Sequence, residues 1–428
     1  MSTFAEKPTL ASERILSVYR SSLVQALAHR RSRRFALGGQ LNTAGTKYSS
    51  THETVPLTKQ ELALLCWAAA GPTGLVLSDI DSQLGCSTQV RHPGWTFPSP
   101  CNSHTTRLMF MNDDGVFLYR PREATKAVHI ESEADLEALT ETFDQDVVRL
   151  QDKRIDIPET AFVRLNMPSS NRPGQTLFMP IVNPNYEIIN SLFVMVQYEK
   201  YKIVDDQTNK PAGIEKWVNK LGLTKAAPLS YFMNLCVIAI SFEAAFMTQN
   251  LLLMAETLGL GAFPHAGYVP IIVMGGTPMT RGLGFRFTAD KQGMPNPVGL
   301  DGIKELEGMC PPYYKSMGDV VQAVHDSKYG EGAIFSPDNP ISPFRDQKSF
   351  AKGMATVPGE VVECIKDLCN YTYDKYGRFP AAYDTMSIPV YVGVHHVDLD
   401  FYAKFYQEKL ISDTVRKHMQ DWHGAHNR

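Results

Sequence analysis

The chain has 428 residues, 43% of them hydrophobic, and sets 42 Lys plus Arg against 45 Asp plus Glu for a formal charge of −3. Disorder would need low hydrophobicity with high net charge, and a collagen-like chain far more than 30 Gly, so both are excluded and a globular protein remains. A pI near 6.5 gives no global electrostatic argument for nucleic acid or an anionic membrane; any basic site must be local.

Length alone allows about two or three domains, or one large fold with insertions. In chain order, residues 12 to 30 predict a helix that runs into the arginine cluster Arg30, Arg31, Arg33, Arg34. Gly38 to Thr54 predicts an exposed loop. Thr58 and Glu61, just before LALLCWAAAG, have the spacing of a helix-entry capping box, and Gly71-Pro72 closes that helix. Arg107 to Met111 and Val116 to Tyr119 flank Asn112-Asp113-Asp114-Gly115, a hairpin signal. Residues 131 to 150 read as an acidic amphipathic helix, and Ala161 to Met167 and Leu177 to Val182 as short strands. Residues 183 to 230 lack a clear period and predict an insertion folded over something. A long helix from about Tyr231 to Leu258, ending at Gly259 and Gly261, precedes an expected strand Val269 to Met274. Residues 277 to 350 are dense in Gly and Pro, helices return at 318 to 326 and 358 to 374, and the strand-like IPVYVGV is followed by a polar helix.

Seven cysteines form no C-x-x-C pair, the N-terminus lacks the apolar core of a signal peptide, and Tyr231 to Met247 falls short of the ~20 residues that span a bilayer. The expectation is a cytoplasmic protein with reduced, mostly buried thiols and no membrane partner.

Three segments could carry chemistry. Arg30-Arg31-Ser32-Arg33-Arg34 offers guanidinium forks and a hydroxyl suited to a phosphomonoester, although a solvated basic turn has the same composition. Pro98-Ser99-Pro100-Cys101-Asn102-Ser103-His104 stiffens a loop bearing groups that can read the polar edge of a heterocycle; an ordinary Ser/Asx turn is the plainer alternative. Asn250 to Tyr268 is a helix ending in glycines, with Ala266 and Gly267 placed to turn backbone N–H groups toward a ligand. A dinucleotide fingerprint fails here, because the glycines sit at a helix end rather than a helix start.

In this order the segments RRSRR, PSPCNS and NLLLMAETLGLGAFPHAGY resemble the nitroreductase family of flavin-dependent oxidoreductases. PLTKQELALLCWAAAGPTG and GVFLYRP are most similar to its azoline-oxidising dehydrogenase subgroup. The resemblance implies an α+β fold with a central, mostly antiparallel sheet flanked by helices, built as a homodimer with FMN at the interface. It implies that Arg30, Ser32 and Arg34 grip the FMN phosphate and that Pro98, Ser99 and Asn102 reach the flavin from the partner subunit. It also implies that the amides of Ala266 and Gly267 stand by flavin N5, where donors stabilise charge on the reduced ring. Arg281 and Arg286 are candidates to complete the phosphate site. Lys200-Tyr201 has the composition of an active-site pair in the azoline oxidases, but lies nearly 50 residues before Asn250. Pro100 stands where the family has a serine, and the helix after the flavin loop is expected to be absent.

The expected organisation is a core in two parts, residues 1–125 and 231–290, with an insertion at 126–230 and a C-terminal extension at 291–428. A lid from roughly 165 to 230 would carry Tyr186, Phe193, Tyr198, Tyr201 and Tyr231. His265 is the candidate for proton delivery. His395-His396-Val-Asp398-Leu-Asp400 has metal-binding residue types, yet adjacent histidines on a strand face opposite ways, so packing or capping is expected and no metal. The implied reaction moves hydride between flavin and a small organic or peptide-derived substrate in ping-pong fashion, with NAD(P)H or O₂ as co-substrate. The rival is a flavin-free relative that uses its pocket for binding or structure; a nucleic-acid partner is not expected.

Overall fold

The computed structural model describes residues 10–43, 45–76, 93–121, 130–163, 169–354 and 356–423. Helices α1 (Leu10–Tyr19) and α2 (Leu23–His29) replace the single helix expected at the start, and the expected loop that follows contains a small hairpin, β1 (Gln40–Asn42) with β2 (Lys47–Ser49). Helix α3 (Lys59–Ala70) begins with the capping box: Thr58 Oγ1 accepts from the Glu61 N–H at 3.3 Å and Glu61 Oε2 accepts from the Thr58 N–H at 2.6 Å. After β3 (Pro72–Leu75) and β4 (Pro93–Trp95) come β5 (Arg107–Asn112) and β6 (Gly115–Tyr119), paired around a two-residue turn. The acidic segment forms α4 (Glu133–Glu141) and then turns into β7 (Val147–Gln151). Of the strand expected at 161–167, residues 164–167 lie outside the described residues, and Glu159–Ala161 is a single 3-10 turn.

Strand β8 (Thr176–Ile181) leads into the segment that lacked a legible period. It folds as α5 (Asn185–Gln197), β9 (Tyr201–Val204), α6 (Glu215–Lys220) and β10 (Lys225–Pro228). The central helix α7 (Leu229–Leu258) stops at Gly259, whose φ of +83° suits glycine and where a Cβ would press on the Thr414 carbonyl oxygen at 2.4 Å. By length and composition α7 could cross a membrane, although its apolar stretch Tyr231 to Met247 was expected to be too short, yet it carries buried Glu243 and Glu256 and packs on α3. Strand β11 (Gly261–His265) follows. The strand expected at Val269 to Met274 is instead helix α8 (Pro270–Met274), so a helix does follow the glycine-rich loop. Pro270 occupies its first turn, and a short apolar run alone does not separate helix from strand. The remainder comprises β12 (Arg286–Ala289), β13 (Pro295–Gly299), α9 (Met317–Tyr329), α10 (Gln347–Gly353), α11 (Gly359–Tyr376), β14 (Tyr391–His395), α12 (Leu399–Phe405) and α13 (Asp413–His423).

Six strands form one antiparallel sheet in the order β11-β14-β8-β5-β6-β7. Both faces are covered, which is why β5 and β8 read as unbroken apolar runs. Phe110, Phe178, Val392 and Val394 pack with α1, α3 and the second half of α7, whereas Met109, Leu177, Met179 and Tyr391 pack with α8 on the opposite face. A further core joins α5, α9, α11 and the first half of α7. Tyr186 and Phe193 are buried in that core, and Tyr201 packs against it; of the expected lid aromatics, Tyr231 is exposed. The architecture is therefore α+β, with α5 and the start of α7 contributing to a buried core.

Candidate functional site

The RRSRR segment leaves α2 in extended conformation, and Ser32 makes a parallel bridge to Ala262 at the edge strand β11. Extended backbone sends alternate side chains to opposite sides. Arg33 turns inward, where its Nη1 lies 2.5 Å from Glu256 Oε2 with the two side chains only 2% and 4% exposed. Ser32 and Arg34 turn outward into a cavity of about 810 Å³. That volume lies in the range of small-molecule and cofactor sites.

The cavity has three kinds of wall. Arg34, Arg172 and Ser32 supply two guanidinium groups and a hydroxyl, the Gly38-Gly39 turn supplies backbone, and Phe401, Tyr402 and Tyr406 supply aromatic surface. The Arg34 guanidinium also sits 5.6 Å from the Phe263 ring centroid. Two guanidinium groups beside a hydroxyl suit a phosphate dianion, and aromatic rings nearby suit a planar heterocycle. Of the proposed phosphate-gripping residues, the structure brings Ser32 and Arg34 together and leaves Arg30 outside the lining. Arg172 was missed. It lies in the SSNRPG turn, far away in sequence and bearing no local motif.

Other expected site residues lie elsewhere. Arg286 pairs with Asp301 through contacts of 3.0 and 2.6 Å, and neither it nor Arg281 lines the cavity. Lys200 occupies a left-handed turn position and Tyr201 belongs to β9, its ring 5.3 Å from Lys225 Nζ, so this pair too is remote from the cavity lining. Pro98, Ser99 and Asn102 form a tight turn in which the Ser103 N–H donates to Ser99 Oγ at 3.0 Å and the Asn102 N–H to the Ser99 carbonyl at 3.1 Å. Two buried carboxylates brace that turn from below: Glu187 accepts from Ser103 Oγ, and Glu243 from the N–H and hydroxyl of Thr106 at 2.9 and 2.7 Å. Within one chain these loop residues do not line the cavity.

The glycine-rich loop differs most from expectation. Ala266 is exposed, but the Gly267 N–H donates to His265 Nδ1 at 3.0 Å and so is already used. With Nδ1 accepting, Nε2 carries the ring proton and donates to Ser170 Oγ at 2.8 Å; Ser170 Oγ is in turn 2.6 Å from the Tyr268 hydroxyl. Burial, with Arg34 nearby adding to it, pushes His265 down to about 4. At neutral pH it is a neutral ring held by these contacts, and it does not itself line the cavity. His395, whose Nδ1 is 3.3 Å from Gln175 Nε2, is pushed by burial to about 3.

These two histidines carry a pH prediction. Their folded values lie below the ordinary 6.5, so the unfolded chain takes up protons first as pH falls. Their stabilising effect is complete above about pH 6.5 and is lost at roughly 1.4 kcal/mol per pH unit per histidine as pH drops toward 4. Thermal melts at pH 7, 6, 5 and 4 should show this acid limb, and His395→Leu should make it shallower. An identical limb in that variant would disprove the assignment.

No family model matches the chain, and no curated protein does. Among solved structures, one described as a candidate nitroreductase from Ralstonia eutropha JMP134 aligns at 14% identity over 58% of this chain and 72% of that one, with a TM-score of 0.27. A superposition that loose carries no argument about fold or activity.

Proposed function

We propose that this chain is an FMN-dependent oxidoreductase that acts as a homodimer on a small organic or peptide-derived substrate. The observation that carries the reading is a cavity that collects Ser32, Arg34 and Arg172 beside an aromatic wall. These residues would hold the phosphate, and Phe401, Tyr402 or Tyr406 would flank the ligand. Bound FMN would supply two-electron chemistry, taking hydride from or giving it to the substrate. The chain's own part is to fix the phosphate, to keep water from the ring and to position the substrate. The turn Pro98–Asn102 would contribute across the subunit boundary, since within one chain it stays outside the cavity.

The exposed apolar stripe on α7 supports a dimer. Tyr231, Leu235, Ile238 and Phe242 recur at helical spacing and are 47–59% exposed. One observation favours the flavin-free rival: the Gly267 N–H that a flavin would need is engaged by His265. Purification without added cofactor decides between them. The proposal expects a yellow protein whose released ligand has the mass of FMN, and which NADH, NADPH or a substrate bleaches anaerobically. A colourless protein that does not take up added FMN would overturn it.

A further inference from the structure

We propose that Glu61, His396, His418 and His423 form a closed binding site for a divalent transition ion, zinc by preference, which fastens the C-terminal helix α13 to the core. The four residues come from distant parts of the chain. Glu61 lies in the first turn of α3, His396 directly follows β14, and His418 and His423 project from α13. Their ligand atoms all lie within 4.8 Å of one another. Glu61, His396 and His418 are at most 2% exposed and His423 is 11% exposed.

The distances fit a metal polyhedron. Zinc holds imidazole nitrogen at 2.0–2.1 Å in a tetrahedron, whose edge is therefore about 3.3 Å. From Glu61 Oε1 to the Nε2 atoms of His396, His418 and His423 the separations are 3.2, 3.0 and 3.5 Å. The three rings cluster with centroids 4.6 to 5.6 Å apart.

Proton positions point the same way. His396 Nδ1 is 2.8 Å from the Val55 carbonyl and His418 Nδ1 is 2.6 Å from the Leu258 carbonyl. A carbonyl only accepts, so both Nδ1 atoms carry hydrogen, and in the neutral rings both Nε2 atoms present lone pairs to Glu61 Oε1. Backbone carbonyls fixing the far nitrogen are the usual outer support of metal-bound histidine. Glu61 is similarly prepared: the Thr58 N–H occupies Oε2 and leaves Oε1 facing the rings. Among the described residues, His418 Nε2 and His423 Nε2 make no hydrogen bond of normal geometry despite lying 3.0 and 3.5 Å from Oε1. Converging lone pairs in a dry site repel unless a cation lies between them. Three imidazoles with one carboxylate suit zinc, and four protein ligands with little exposure indicate a structural ion rather than one that binds substrate.

None of the four residues lines the cofactor cavity, so this proposal and the flavin reading stand or fall separately. The test uses untagged full-length protein desalted into metal-free buffer, with zinc measured by plasma mass spectrometry. The expected result is about one zinc ion per chain, a lower Tm after treatment with a strong chelator, and recovery when zinc is returned. Cobalt should replace it and give the intense visible bands of a four-coordinate centre. His423→Ala, at the more exposed corner of the cluster, should keep the fold by circular dichroism while weakening zinc affinity at least 100-fold; second-position changes alone typically cost 10- to 100-fold. Collapse of the fold on chelation, reversed by zinc, would equally support the site. A folded, chelator-treated protein that neither binds added zinc or cobalt nor changes its Tm would overturn the proposal. Unchanged affinity in His423→Ala would overturn it too.

Discussion

Glu256→Ala is expected to cost about 3–5 kcal/mol of stability, which a denaturant titration would show as a lower midpoint with little change in slope. The reason is that Glu256 and Arg33 are each almost wholly buried at a separation of 2.5 Å, and removing one leaves the other's charge in a poorly solvating interior. Ser412 Oγ, 3.0 Å from Glu256 Oε1, would lose its acceptor as well. The pair ties the basic segment to the end of α7, so the same variant should disturb the outward alignment of Ser32 and Arg34. Replacing both charges, Arg33→Met with Glu256→Leu, should recover much of the stability because no orphaned charge remains. If the single and double variants were equally destabilised, the cost would lie in packing and not in the ion pair.

The second large effect concerns association. Leu235→Glu combined with Phe242→Glu should convert a dimer into a monomer, with at least a 100-fold rise in dissociation constant by sedimentation. Burying each large apolar side chain gives roughly 1.5–3 kcal/mol, and a carboxylate placed in the same contact must be desolvated. Because the Pro98–Asn102 turn lies off the cavity in its own chain, the monomer should also hold FMN more weakly. A wild-type chain that sediments as a monomer at micromolar concentration would remove the basis for placing that turn across an interface.

How much of this was legible depended on whether the signal was local. The α3 capping box, the Asn112–Gly115 turn and the Gly259 stop are written in neighbouring residues, and each occurs where the sequence places it. The grouping of Arg30, Ser32 and Arg34 came from the family resemblance; alternation along the extended segment accounts for Ser32 and Arg34 facing one cavity, which Arg30 does not line. Arg172 was invisible because it joins them only through the fold. The period of α5 was masked because Asn185, Glu187 and Asn190 are buried in hydrogen bonds, so polarity did not report exposure. His396 was noticed for its neighbours Asp398 and Asp400. Asp398 in fact caps α12 through the Phe401 N–H at 2.9 Å, while His396 turns to Glu61 and α13 more than 300 positions from its carboxylate. Local spacing shows which residues share a strand face, but not which distant element that face meets.

Ser32, Arg34 and Arg172 are proposed to form a phosphate site. Parallel titrations with FMN and riboflavin, followed by quenching of flavin fluorescence, test it most directly because the two ligands differ only in the phosphate. Wild-type protein should prefer FMN by at least 100-fold, and Arg34→Ala and Arg172→Ala should each reduce that preference by at least tenfold, as loss of a charge-assisted contact worth roughly 1.5–3 kcal/mol requires. Riboflavin affinity should hardly change. Equal affinity for both ligands in the wild type, or an FMN preference that survives both substitutions, would contradict the account.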